Sequence, residues 1–245
     1  MTESTGVTYQ QQQRELIATI RQNMGSMAQR ATTVPMQSDY AQDPARCLTL
    51  ISFVPAAATR TIQRTLQTQL EAVAPEHYFY PAESMHITIK NIRSAATPPG
   101  FSAHDIARAD QLLGTILTGR PAIHFKFQEL VAFPNSISLI GYSSAALQAL
   151  VLDLDRTLRA AGLPDDKRYM SDTVFFGNIT FCRFTTDPTP AFLDAARSLT
   201  LAAPVQVEVN ELTLITCNAA AAPSTITRHA AVALGGRPAR GETAP

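Results

Sequence analysis

Two segments far apart in the chain repeat one pattern, and this repeat constrains the fold more than any other feature of the sequence. Residues 86–89 read His-Ile-Thr-Ile, and residues 178–181 read Asn-Ile-Thr-Phe. Each segment is β-rich and follows a stretch that has the spacing of a helix. The repeat therefore indicates two structurally related halves.

The alternation of side chains along a strand decides which residues of each segment share a face. His86 and Thr88 fall on one face of the first strand, and Asn178 and Thr180 fall on one face of the second. If the two strands border a common groove, four polar groups meet there above an apolar core. Such a groove suits a phosphate.

Predicted helices and strands alternate over most of the chain. Four helices are predicted from apolar periodicity and capping residues: 58–74, Ser102 to Gly119, Ser144 to Gly162, and Asp187 to Leu199. Seven β-rich stretches are predicted as strands: 47–54, 85–92, 122–130, 136–142, 173–184, 205–215 and 226–234. This order is typical neither of an all-parallel wound sheet nor of a sandwich. It predicts an α+β protein with mixed or antiparallel sheets flanked by helices.

The two ends of the chain differ from its middle. Residues 1–45 are expected to form an N-terminal helix and a linker, because apolar residues recur at helical spacing within a Gln-rich stretch over residues 8–30. Residues 46–234 are expected to form the main domain. Residues 235–245 are rich in Gly, Pro and Arg, and we expect them to be a mobile tail.

Charge and cysteine usage exclude some classes of function. Lys plus Arg and Asp plus Glu both number 20, so the net charge is zero, which argues against tracking of duplex DNA. Cys47, Cys182 and Cys217 lie too far apart to suggest a metal site and are expected to be buried thiols. With neither a signal-like segment nor a membrane span in the sequence, we expect a cytoplasmic protein that does not bind membranes.

The first repeated segment resembles the His-x-Thr motif of the two-histidine (2H) phosphoesterases. This superfamily includes bacterial 2',5' RNA ligases and cyclic nucleotide phosphodiesterases. The resemblance extends over about residues 46–234 and includes the predicted hairpin and long helix at residues 134–163. It implies a two-lobed, duplicated α+β fold with a central groove. Asn178 departs from the family pattern, because the family has a second histidine there.

The resemblance implies roles for the repeated residues. In the family, one imidazole removes a proton from the attacking hydroxyl or water, the other protonates the leaving oxygen, and the two threonines hold phosphate oxygens. His86 would be the remaining acid or base, whereas Asn178 could position a substrate but could not exchange protons. Losing one such group costs a factor of roughly 10² to 10⁴ in rate. The predicted catalytic residues are His86, Thr88, Asn178 and Thr180.

Three further residues are candidates for substrate binding. Lys90 and Arg183 each follow a motif closely and could offset phosphate charge. Lys90 is predicted on the face of His86, but strict alternation places Arg183 on the face opposite Asn178. Tyr142 could stack on a base.

The sequence leads to two functional hypotheses for the same groove. In the first, the protein acts on a phosphodiester of a nucleotide or RNA end, a 2',3'-cyclic phosphate or a 2',5' linkage, with impaired or altered catalysis. The alternative is a catalytically silent module that binds a nucleotide or RNA end. In either case we expect a monomer that needs no cofactor and no metal. A structural or partner-binding role for the fold also remains open.

Overall fold

The computed structural model describes residues 7–235. Its helices are α1 (Tyr9–Gln22), α2 (Met27–Arg30), α3 (Ala56–Ile62), α4 (Thr68–Glu71), α5 (Ala103–Leu117), α6 (Ala145–Ala160) and α7 (Pro190–Ser198). Its strands are β1 (Arg46–Phe53), β2 (Tyr78–Phe79), β3 (His86–Ala96), β4 (Ile123–Phe133), β5 (Ser136–Tyr142), β6 (Gly177–Arg183), β7 (Val205–Val209), β8 (Glu211–Cys217) and β9 (Thr227–Ala233). The predicted tail at residues 235–245 lies outside the described residues except for Gly235.

The strands form two sheets, in which every pairing among the described residues is antiparallel. The first sheet has the order β3-β1-β8-β9, and the second has the order β2-β6-β5-β4-β7. Strand β3 lies at the edge of the first sheet and contacts β6 of the second. The two repeated segments thus lie on neighbouring strands of different sheets. The prediction of an α+β fold with antiparallel sheets and flanking helices is confirmed.

One large apolar cluster holds the sheets and helices together. It includes residues from every helix from α3 to α7 and from both sheets. Ile87 and Phe181, the apolar neighbours of the repeated polar residues, are fully buried in it. Each such side chain contributes about 1.5–3 kcal/mol when it leaves water. The apolar positions of β3 and β6 therefore fix which side chains remain on the groove side.

Three predicted elements differ from the structure. The helix predicted over 58–74 is divided into α3 and α4 by a π-helical turn at Gln63–Gln67. The stretch 205–215 is not one strand but two, because the chain passes from the second sheet to the first at Asn210, between β7 and β8. Helix α7 begins at Pro190 rather than near Asp187, since the Thr189 hydroxyl accepts a hydrogen bond from the backbone N–H of Phe192 and so caps the first turn.

The N-terminal helix packs on the second sheet. Ile17 and Ile20 are buried against Tyr142 and neighbouring apolar residues of β4 and β5. Gln13 is also buried, and its amide donates to the Phe175 carbonyl and accepts from the backbone N–H of Ser143. These polar contacts fix the helix, because leaving the buried amide without partners would cost about 1–3 kcal/mol.

Over residues 7–235, none of the helices combines the length and the apolar character that crossing a membrane would require.

Candidate functional site

A cavity of about 640 Å³ opens between the two sheets, where β3 faces β6. This volume lies within the range of small-molecule sites, which is about 300–1,000 Å³. Six of the seven predicted site residues line it: His86, Thr88, Lys90, Asn178, Thr180 and Arg183. The structure therefore brings the two repeated segments to one site.

His86 is the first residue of β3, and the backbone of Ser84, two residues before it, fixes the orientation of its ring. The Nδ1 atom lies 2.7 Å from the carbonyl oxygen of Ser84. A carbonyl oxygen can only accept, so Nδ1 carries the proton in this hydrogen bond. Burial lowers the pKa of His86, the hydrogen bond to Ser84 opposes this effect, and the charge of Arg183 lowers the pKa further. The ring is therefore held in the neutral form, in which Nε2 has a free lone pair.

Asn178 and Thr180 lie on one face of β6, as the alternation predicts. The Asn178 amide donates to the Thr180 hydroxyl over 3.3 Å, and that hydroxyl lies 2.9 Å from the hydroxyl of Ser138 on β5. Ser138 is buried, so it anchors the pair from beneath. These contacts hold the Thr180 hydroxyl in place at the cavity wall.

Arg183 reaches the cavity because β6 contains a β-bulge. In the pairing with β5, Ile137 lies opposite Cys182 and Ser138 lies opposite Thr180, which leaves Phe181 as an extra residue. The extra residue reverses the alternation, so Arg183 lines the cavity together with Asn178 and Thr180. The prediction that Arg183 lies on the opposite face is wrong for this reason.

The Arg183 guanidinium is held by aromatic residues. Its Nε atom donates to the Tyr80 hydroxyl over 2.7 Å, and its Cζ atom lies 5.8 Å from the centre of the Tyr40 ring. Both tyrosines are about 1% exposed. Among residues 7–235, the guanidinium forms no ion pair with a carboxylate. Its charge is therefore available to an anion in the cavity.

Lys90 lines the same cavity, but its charge is neutralised. Its Nζ atom lies 3.0 Å from Asp155 and 3.2 Å from Asp165. The side chains of Lys90 and Asp165 are only 6% and 3% exposed, so this pair is buried. The contacts join β3 to α6 and to the segment between α6 and β6. The geometry fits a structural role for Lys90 better than the predicted contact with phosphate.

Tyr142 does not line the cavity. It is 2% exposed, packs against α1, and its hydroxyl donates to the Glu129 carboxylate. Burial and this carboxylate raise the pKa of Tyr142. The suggestion that Tyr142 stacks on a base is wrong, because α1 covers its ring.

Sequence reasoning missed Lys167, which also lines the cavity. Burial lowers the pKa of Lys167, and the charges of Cys47 and Asp165 act in the opposite direction. Across the described part of the chain, Lys167 forms no ion pair within 4.0 Å. Lys167 lies in a segment without regular secondary structure, so no periodic pattern could place it at the site.

The N-terminal segment completes one side of the cavity. Leu16 and Ile20 of α1, Met27 of α2 and the stretch 31–35 contribute to its lining. The cavity therefore has a polar wall from β3 and β6 and a partly apolar side from the N-terminal segment.

Within residues 7–235, no three His, Cys, Asp or Glu side chains are grouped so that they could hold a metal ion. The chemistry that the described side chains offer is proton transfer by His86 and the binding of negative charge by Arg183.

Known structures share this fold at low sequence identity. E. coli LigT complexed with 3'-AMP is 16% identical to this chain with a TM-score of 0.56, over 78% of this chain and 99% of LigT. A crystal structure described as a phosphoesterase is 18% identical with a TM-score of 0.51, over 78% of this chain and 99% of its own. A Thermus thermophilus protein is 14% identical with a TM-score of 0.56, over 78% of this chain and 98% of its own.

No family model and no curated protein sequence matches the chain. The structural comparisons establish the fold, which is that of E. coli LigT. They also agree with the fold that the His-x-Thr resemblance implies.

Proposed function

We propose that this protein binds a phosphodiester of a nucleotide or RNA end in the groove between β3 and β6 and hydrolyses it slowly with one general base. The proposal depends on one observation: His86, held neutral with Nε2 free, lines the same cavity as the guanidinium of Arg183, which forms no ion pair with a carboxylate of residues 7–235. A base and an anion-binding cation in one cavity are what attack on a phosphodiester requires. LigT, whose fold this chain shares, has been crystallised with 3'-AMP and with phosphate.

The proposed role of His86 as a base follows from which ring nitrogen carries the proton. Since Nδ1 donates to Ser84, Nε2 is the atom that can accept a proton from a water molecule. In the proposed reaction Nε2 takes that proton, the water oxygen forms a bond to phosphorus, and the bond from phosphorus to the 2' or 3' oxygen breaks. His86 is thus the general base.

The leaving oxygen lacks the partner that the 2H family provides. By the motif resemblance Asn178 corresponds to the second histidine of the family, and an amide does not release a proton near neutral pH. The oxygen must then take its proton from solvent, which lowers the rate by a factor of roughly 10² to 10⁴. This explains how the groove can bind a substrate well and still turn it over slowly.

The phosphate would be bound mainly by the β6 side of the groove. The positively charged guanidinium of Arg183 has several N–H donors, and the Thr180 hydroxyl is already positioned by Ser138. Lys167 also lines the cavity, but burial lowers its pKa and so disfavours its charged form. Hydrogen bonds to charged groups contribute about 1.5–3 kcal/mol each, so Arg183 should dominate affinity.

The second candidate function is a binding module without turnover. The contact between the Asn178 amide and the Thr180 hydroxyl favours it, because both groups are arranged to hold an oxygen rather than to move a proton. The two candidates share the site and differ only in whether His86 is used.

The test is hydrolysis of a 2',3'-cyclic nucleotide by the purified full-length protein. We expect slow release of the monoester, and we expect His86→Ala to abolish it while binding, measured by isothermal titration calorimetry, persists. His104→Ala is the matched control, because His104 is exposed on α5 and does not line the cavity.

The outcomes separate the candidates. Equal turnover by the His86→Ala variant and the unmodified protein would overturn the assignment of the base. Binding without hydrolysis in the unmodified protein would support the binding module instead. Absence of both binding and hydrolysis would reject the proposed function.

A further inference from the structure

Two cysteines face each other in the wall of the cavity. Cys47 on β1 and Cys217 on β8 are directly opposite in the antiparallel pairing of the two central strands of the first sheet. Their Sγ atoms are 3.5 Å apart, and both thiols are free. Opposite residues on antiparallel strands have Cα atoms about 4.5–5.5 Å apart, which is within the range that a disulfide spans.

The cavity gives small molecules access to this pair. Cys47 and Cys217 are 8% and 2% exposed, but both line the cavity rather than the closed core. Cys182, by contrast, is fully buried and does not line the cavity. The chain therefore contains one reachable pair and one shielded thiol.

The charges around Cys47 make it the more reactive thiol. The two thiols share a hydrogen bond in which either sulfur can donate. This contact lowers the pKa of Cys47, burial opposes the effect, and the positive charge of Lys167 lowers the pKa further. The same hydrogen bond raises the pKa of Cys217. Burial raises the pKa of Cys182. The thiolate is the form that reacts with oxidants, so Cys47 is the first thiol expected to react.

We propose that Cys47 and Cys217 are an oxidation site that closes to a reversible disulfide when a small peroxide enters the cavity. This inference is independent of the proposed function. In the first step the Cys47 thiolate attacks one oxygen of hydrogen peroxide, the O–O bond breaks, and the departing hydroxide takes a proton to become water. In the second step Cys217 attacks the resulting sulfenic acid, its proton leaves with the hydroxyl group as a second water, and the S–S bond forms. The two thiols lose two electrons, and the peroxide gains them.

The disulfide would link residues that are 170 positions apart. A crosslink over such a long loop restricts the unfolded chain, so the oxidised protein should unfold at a higher temperature than the reduced protein. Adding a reductant should reverse both the crosslink and the shift in Tm.

The experiment treats the reduced full-length protein with hydrogen peroxide, alkylates the remaining thiols after denaturation, and maps the peptides by mass spectrometry. We expect a Cys47–Cys217 crosslinked peptide, an alkylated Cys182, and recovery of three free thiols after reduction. Cys47→Ser and Cys217→Ser should each prevent the crosslink. Cys182→Ser is the matched control and should leave it unchanged.

Three results would overturn the inference. They are three free thiols after peroxide treatment, a crosslink that includes Cys182, and irreversible oxidation of Cys47 to the sulfinic acid without a crosslink. Peptide mapping of the unmodified protein decides among them, so the inference can be tested even if a variant fails to fold.

Discussion

On one wall of the cavity β3 carries His86, Thr88 and Lys90, and on the other wall β6 carries Asn178, Thr180 and Arg183. The sequence pattern of the two walls is nearly the same, but their chemistry differs. The β3 wall has the imidazole of His86, whereas the β6 wall has the amide of Asn178 at the corresponding position of the repeat.

The two walls also differ in whether their positive charge is neutralised by carboxylates. Lys90 is buried between Asp155 and Asp165, so its charge is neutralised within the fold. Arg183 contacts the hydroxyl of Tyr80 and the ring of Tyr40, which leave its charge available. A repeated motif therefore does not assign equal roles: we infer that one wall moves a proton and the other binds the anion.

Placing a histidine at position 178 should have the largest effect if the proposed function is right. Asn178→His supplies a group that can protonate the leaving oxygen, so we expect hydrolysis of a 2',3'-cyclic nucleotide to rise by about 10²-fold or more. The measurement is the initial rate of monoester formation. Asn178→Gln keeps the amide and should give no increase, and a second change, His86→Ala, should remove the gain. A folded Asn178→His variant that binds the nucleotide without faster turnover would mean that the two walls do not meet at the reacting phosphate.

Removing the cation of the β3 wall should reduce stability. Lys90→Met leaves the carboxylates of Asp155 and Asp165 without their shared partner, and breaking a buried pair in this way costs about 3–5 kcal/mol. Because Asp155 is partly exposed, we expect a loss near the lower end of this range. Urea denaturation measures it. Lys126→Met is the matched control, since Lys126 is exposed on β4. An unchanged free energy of unfolding in Lys90→Met would contradict the structural role.

Removing the cation of the β6 wall should reduce affinity instead. Arg183→Met deletes a charged donor from the cavity, and we expect the Kd for a 2',3'-cyclic nucleotide to rise about tenfold or more, which corresponds to about 1.5–3 kcal/mol. Titration calorimetry measures the change, with Arg60→Met on the exposed face of α3 as control. Equal affinity in Arg183→Met and the unmodified protein would remove Arg183 from the proposed site.

The sequence predicts the parts of the site that depend on strand periodicity. His86 with Thr88 and Asn178 with Thr180 line one cavity because two-residue alternation is set by local geometry. Arg183 was predicted on the wrong face, since the bulge at Phe181 arises from pairing with β5 and leaves no mark in the sequence pattern. The element order likewise predicts the fold class, but it does not reveal that the chain changes sheets at Asn210.

Contacts between distant segments explain the remaining differences. Tyr142 follows the strand pattern, and nothing local shows that α1 covers it. Lys167 enters the cavity from a segment without periodicity, and only the tertiary structure places it near Cys47. Such positions depend on packing between segments more than a hundred residues apart, about which a single sequence gives no information.

The smallest expected effect is on the pH dependence of the free energy of unfolding. His86 contributes to it because its imidazole is buried and neutral, whereas the amide of Asn178 does not titrate. Burial lowers the pKa of His86 in the folded state below the value of about 6.5 expected in the unfolded chain. The unfolded state therefore binds more protons as the pH falls below about 6.5, so the free energy of unfolding should decrease between pH 7 and pH 5. His86→Gln should make this decrease smaller but not abolish it, because burial also lowers the pKa of His77. Urea denaturation at several pH values measures the slope. A slope in His86→Gln equal to that of the unmodified protein would show that the imidazole on the β3 wall is as well hydrated as one in the unfolded chain.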